Sequence, residues 1–132
     1  MLKYFIIISV SIVLIGCQTT NQAANIAKLE VAFSWAGTKA CSTVPPAFSV
    51  SNVPKGTTAL KFRMTDLDVP SFNHGGGTIH MGTAEIPAGS FSYTGPCPPS
   101  GSHKYEFEVT AINEHEDLIV ARGAAVRSFP PE

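Results

Sequence analysis

Charge is sparse and evenly signed along this chain: nine lysines and arginines stand against ten aspartates and glutamates in 132 residues, for a formal net charge of −1. The lack of a basic stripe or an acidic block argues against a nucleic-acid partner. Helical patterning is missing too: beyond residue 16 no stretch repeats its apolar residues every 3.6 positions, and there is no internal repeat. The four histidines and three cysteines show no His-x-x-x-His or Cys-x-x-Cys spacing, so no metal site is expected. Nor is there a nucleophile elbow. Ser100 and Ser102 lie near His103, but adjacent strand residues face opposite ways, and the chain is read as a non-enzyme without cofactor. The Gly75-Gly76-Gly77 triplet lacks the strand–turn–helix context of a phosphate loop and reads as a bend. Finally, no apolar run is long enough to cross a bilayer comfortably. The longest, from Tyr4 to Ile15, is broken only by Ser9 and Ser11, follows a single cation, Lys3, and has the length of a signal-peptide core.

That run ends in Leu14-Ile15-Gly16-Cys17, which resembles a bacterial lipobox, where the cysteine is acylated and becomes the new N-terminus. The resemblance implies a signal peptide over residues 1–16, a lipidated N-terminus and tether over 17–27, and one folded domain over 28–132. An uncleaved anchor helix is the other reading. One acyl chain such as palmitate holds a protein only marginally, whereas several hold it firmly. The three chains of the lipoprotein class imply membrane lipid as a partner through Cys17. Gln18 stands where inner-membrane lipoproteins carry aspartate, which points to an exported protein at the outer membrane facing the periplasm, in a cell with two membranes. Export leaves Cys41 and Cys97 as an even pair where a disulfide persists; two free buried thiols are the alternative.

What remains reads as all-β. Leu29, Val31, Phe33 and Trp35 alternate with polar or small residues, and Phe48, Val50 and Asn52 follow a Pro-Pro pair. Leu60, Phe62 and Met64 share a face against Lys61 and Arg63, and by that count Asp66 continues the apolar row. Further strands are expected around Thr78 to Ala84, from Tyr105 to Ala111, and from Leu118 to Val126. Phe129 to Glu132 is expected as an exposed tail, and His80 and His115 as solvated surface. Short strands between Gly and Pro clusters predict an antiparallel β-sandwich. Tyr93 to Tyr105 begins with three prolines that cannot pair as a central strand, so it must open as a stiff loop. Its second half enters the strand Tyr105-Glu106-Phe107-Glu108-Val109, whose parity turns His103 inward beside Tyr105. A carboxylate at Asp66 and an imidazole at His103, both inward at strand ends, need a mutual partner or a cavity, since an unpaired buried charge costs several kcal/mol or more.

Asp66-Leu67-Asp68-Val69-Pro70, His74, Gly95-Pro96-Cys97-Pro98-Pro99 and Gly101-Ser102-His103-Lys104-Tyr105 together resemble motifs of the phosphatidylethanolamine-binding protein family, in particular its bacterial branch. There the order is Asp-Pro-Asp-x-Pro, a histidine before the next strand, Gly-Pro-x-Pro-Pro, and Gly-x-His-Arg-Tyr. Pro45-Pro46-Ala47-Phe48-Ser49-Val50 is similar to the family's Ser-Pro-x-Leu-Ser-Trp, so the likeness runs from Trp35 to Asn113. It implies a β-sandwich, here with a short or absent helical tail, and a small cavity that takes an anion or a phospholipid head group. Carried over, it nominates Asp66, Asp68, His74, His103 and Tyr105 as ligand-binding, with Pro96 and Pro98 shaping the wall. The departures are Leu67 for proline, Lys104 for arginine, and Gly75-Gly76-Gly77 where the family has a bulky aromatic; they predict a more open or shallower cavity. The function this implies is a membrane-anchored binding module. The alternative is a module that uses the same loops against a protein partner, as protease-inhibiting relatives do.

Overall fold

In a computed structural model the structure describes residues 26–81 and 85–131. Every regular element there is a strand: β1 (Ala27–Lys28), β2 (Glu30–Phe33), β3 (Phe48–Ser51), β4 (Ala59–Asp66), β5 (Gly76–His80), β6 (Glu85–Ile86), β7 (His103–Asn113) and β8 (Leu118–Phe129). One sheet has the order β1-β8-β7-β4-β5 and the other β2-β3-β6. This is the all-β sandwich expected from the short strands and their Gly and Pro punctuation. All pairings are antiparallel except β1 with β8, which run parallel over two residue pairs. The expected signal peptide and lipobox and most of the expected tether lie outside the described residues; β1 takes in Ala27, the last residue of that tether.

The two inner faces meet in an aromatic core. Leu60, Phe62 and Met64 of β4 stand opposite Ala111, Val109 and Phe107 of β7 in register, and all six are buried. From the smaller sheet Phe33 and Phe48 reach across, their rings 5.1 and 4.7 Å from that of Phe107 and near perpendicular to it. Such edge-on contacts put ring hydrogens on a neighbour's electron-rich face.

Four local expectations are corrected. The Leu29 run is two strands rather than one, because the chain changes sheets at Leu29: its N–H donates to the Arg122 carbonyl at 2.8 Å, and its own carbonyl crosses β8 where a Cβ on Gly123 would sit. Asn52 does not extend its strand; it adopts a φ of 60° and ends it. The glycine triplet is only partly a bend, since Gly76 and Gly77 open β5 and Phe91 packs its ring where a Gly77 side chain would be; the expected strand's end, residues 82–84, lies outside the described residues. Phe129 is not tail. It ends β8 opposite His103 and is buried against Trp35, with ring centroids 5.5 Å apart. An alternation that stopped at Val126 overlooked it because two arginines interrupt the pattern in β8.

Candidate functional site

The site lies where β4 and β7 end together. Asp66 and Tyr105 are direct cross-strand partners, and His103 is two residues further along β7. Residues two apart on a strand share a face, so the parity that buries Phe62 and Phe107 also delivers Asp66, Tyr105 and His103 to one spot. There Asp66 is 5% exposed and its Oδ2 accepts a hydrogen bond from His103 Nδ1 at 2.7 Å. Its Oδ1 accepts the backbone N–H groups of Asp68 and Val69 at 2.9 and 3.1 Å, folding the turn after β4 around the carboxylate. Burial opposes the Asp66 charge, but the hydrogen bonds from His103, Asp68 and Val69 together outweigh it and hold the carboxyl below its ordinary value of 3.8.

His74 arrives from the other side. It is buried, and its Nδ1 faces the Thr94 carbonyl at 2.6 Å while Thr94 N–H donates back to the His74 carbonyl at 2.9 Å. Facing a carbonyl, Nδ1 must carry the proton, which leaves Nε2 for something else. The reciprocal bonds tie the β4–β5 turn to the Pro-rich loop. That loop is held in turn by the Cys41–Cys97 disulfide, with Cα atoms 4.6 Å apart, and by the Cys41 N–H on the Pro96 carbonyl at 2.8 Å. A side chain at Gly95 would strike the Ser42 carbonyl, so the two segments lie backbone to backbone.

Between these parts opens a cavity of about 280 Å³ lined by Asp66, Val69, Phe72, His74, Cys97, Pro98, Pro99, His103 and Tyr105. The Tyr105 hydroxyl is fully buried at its floor, near the Asp66 carboxylate and the Cys97 backbone, but completes no well-formed hydrogen bond among the described residues. Burial first, and then the Asp66 charge beside it, push this phenol up to about 12, so it keeps its proton and remains a donor. The His103 ring lies nearly parallel to the Tyr105 ring at 6.2 Å, and the His74 ring stands edge-on to it at 5.5 Å. The wall therefore offers one phenolic donor and two imidazoles whose Nδ1 atoms are already engaged.

Five of the seven ligand residues expected from the sequence, Asp66, His74, His103, Tyr105 and Pro98, line this cavity. Pro96 does not: it is buried behind the wall, where its carbonyl receives Cys41. Asp68 does not line it either, since its Oδ2 accepts the Lys104 N–H at 2.7 Å and ties the turn to β7. Sequence spacing showed no metal motif, yet strand pairing brings ligand-capable atoms of Asp66, Asp68 and His103 within 4.8 Å of one another. Both Asp66 oxygens and Asp68 Oδ2 already accept hydrogen bonds, so a cation there would have to displace the contacts that shape the turn.

Sequence reasoning missed Phe72. Its ring packs 4.6 Å from that of His74, so an aromatic wall is supplied from before the histidine, where the glycines after it cannot supply one. A phenylalanine two residues before His74, in the turn that leaves β4, was the only signal.

The family model described as phosphatidylethanolamine-binding protein matches residues 19–92. Among solved structures, a phosphatidylethanolamine-binding protein homolog from Chlamydia trachomatis is similar in fold, with a TM-score of 0.58 and 18% identity over 83% of this chain and 100% of its own. No curated protein matches.

Proposed function

The chain belongs to the phosphatidylethanolamine-binding protein family, and from that membership we propose that it is a lipid-anchored binding module whose cavity between Asp66, His74, His103 and Tyr105 captures a small anion or a phospholipid head group. One observation carries the reading: the Tyr105 hydroxyl, buried at the cavity floor beside the Asp66 carboxylate and the Cys97 backbone, completes no well-formed hydrogen bond among the described residues. A buried donor left unpaired costs about 1–3 kcal/mol, a cost that an entering acceptor removes. An oxyanion is such an acceptor. With Nδ1 of His103 held by Asp66 and Nδ1 of His74 held by Thr94, each Nε2 donates only when its ring is doubly protonated.

The anchor belongs to the same proposal. The lipobox at Leu14-Ile15-Gly16-Cys17 supports acylation of Cys17, with export and outer-membrane placement following from the residues around it.

Titration of the full chain with inorganic phosphate, followed by 31P NMR, tests the site. Tyr105→Phe removes only the hydroxyl and should weaken phosphate binding roughly tenfold or more, the value of one hydrogen bond to a charged acceptor. His103→Ala should abolish it. Phosphate bound equally by parent and both variants, or by none of them, sinks the proposal; a protein partner retained by all three would assign these loops to an interaction module.

A further inference from the structure

Three large apolar side chains stand in water within one short turn beside the cavity mouth: Leu67 is 43% exposed, Val69 41% and Phe72 50%. Single exposed apolar residues are ordinary, but three within six positions of one turn form a patch. The turn cannot fold them away. Asp66 Oδ1 holds the Asp68 and Val69 N–H groups, the Lys104 carbonyl holds that of Leu67 at 2.8 Å, and the Val69 carbonyl holds that of Phe72 at 3.0 Å. Arg63 shares a small cleft with Phe72, and Lys104 adjoins Leu67; among the described residues neither is ion-paired to a carboxylate. Exposed apolar side chains beside free cations, with the one carboxylate between them, Asp68, tied to the Lys104 N–H, are the composition of a surface that lies in a lipid interface.

We propose that the Leu67–Phe72 turn docks on the bilayer itself, inserting these three side chains among the lipids so that the cavity mouth opens at head-group depth. The inference rests on the cavity being a ligand site, and it names the source of the ligand: a phospholipid that stays in its membrane. A cavity of about 280 Å³ is at the small end of ligand sites and accommodates a head group, with no room for acyl chains. Its floor is polar, through Asp66, His103 and Tyr105, while Val69, Phe72, Pro98 and Pro99 make up an apolar collar. A lipid with its head on that floor must leave its chains outside the collar, where they are at rest only if the collar touches the bilayer. The chain beyond the described residues favours the same occupant over a soluble protein, since it carries the apolar run Tyr4 to Ile15 and Cys17, and the cations Arg63 and Lys104 beside the turn complement anionic head groups.

The full chain with Phe72→Trp, reconstituted into vesicles of phosphatidylethanolamine and phosphatidylglycerol, reports on it directly. The emission of the introduced indole should move to shorter wavelength and be quenched by lipids brominated on their acyl chains. His115→Trp, in the turn beyond the far end of β7, should remain unquenched in the same vesicles. Buried Trp35 supplies a constant background and a check on folding. Adding Leu67→Asp, which lies outside the cavity lining, to Phe72→Trp should restore the emission of the reporter to that of a water-exposed ring and leave phosphate binding unchanged. A reporter at position 72 that is unquenched, or quenched no more than the one at position 115, overturns the docking surface while the phosphate titration still judges the cavity. Failure of phosphate to bind, with the position-72 reporter quenched, leaves a membrane-contact turn and removes the capture.

Discussion

Asp66 is where charge, fold and ligand chemistry meet. Its carboxyl is held below 3.8 in the folded protein, so its ionised form contributes stability that is fully present above the unfolded value. That stability is lost as pH falls through the lower folded value. Asp66→Asn keeps an oxygen for the Asp68 and Val69 N–H groups but faces His103 with an amide. Thermal unfolding should therefore show the variant less stable than the parent near neutral pH, with the gap shrinking as pH drops below about 3.8. A gap that is constant, or that widens on acidification, would mean the His103–Asp66 bond is not the source. The inward placement of Asp66, His103 and Tyr105 was legible from alternation alone, because side-chain parity on a strand is set by covalent geometry. That Asp68 and Pro96 serve the scaffold instead of the lining was not legible. A motif names residues together without saying which atom of each the backbone has already claimed.

At the scale of elements, the passage from β1 to β2 over β8 fixes how the two sheets face each other. It requires that residue 123 have no side chain, since the Leu29 carbonyl occupies the place of its Cβ. Gly123→Ala should then cost about 1–3 kcal/mol, the usual penalty for forcing atoms into a packed interior, in a denaturant titration. An Ala variant as stable as the parent would show that β1 can lift from β8 without loss. The crossing hid in the sequence for a plain reason. Leu29 to Trp35 alternates as one strand would, and periodicity reports which way side chains point but not which sheet the backbone bonds to. The Pro-rich loop was readable in advance from its missing N–H groups, as was the β4 strand, whose observed range adds only Ala59 to the expected one.

For the molecule as a whole, the Cys41–Cys97 bond joins segments 56 residues apart and closes a loop that includes β3, β4, β5 and β6. On the chain-entropy account it restricts the unfolded chain by about 4 kcal/mol, a large share of the stability of a domain this size. Replacing both cysteines by serine should lower the denaturation midpoint by a corresponding amount. It should also weaken phosphate binding, because Cys97 forms part of the cavity wall and its neighbour Pro96 is tied to Cys41. Retained stability together with unchanged phosphate affinity would show that the wall stands without the bridge.

By itself the sequence determined the class of the molecule: strand alternation, proline and glycine punctuation and the absence of helical period demand two stacked sheets, since each strand has one apolar face to bury. It also determined that an acid, an imidazole and a phenol would share an interior end. Tertiary structure alone decided which elements stand next to one another, and with that the contents of the cavity wall. Phe72 beside His74, Phe129 opposite His103 and an apolar collar around a polar floor arise from how the backbone closes, and local sequence carries no record of such contacts until it has done so.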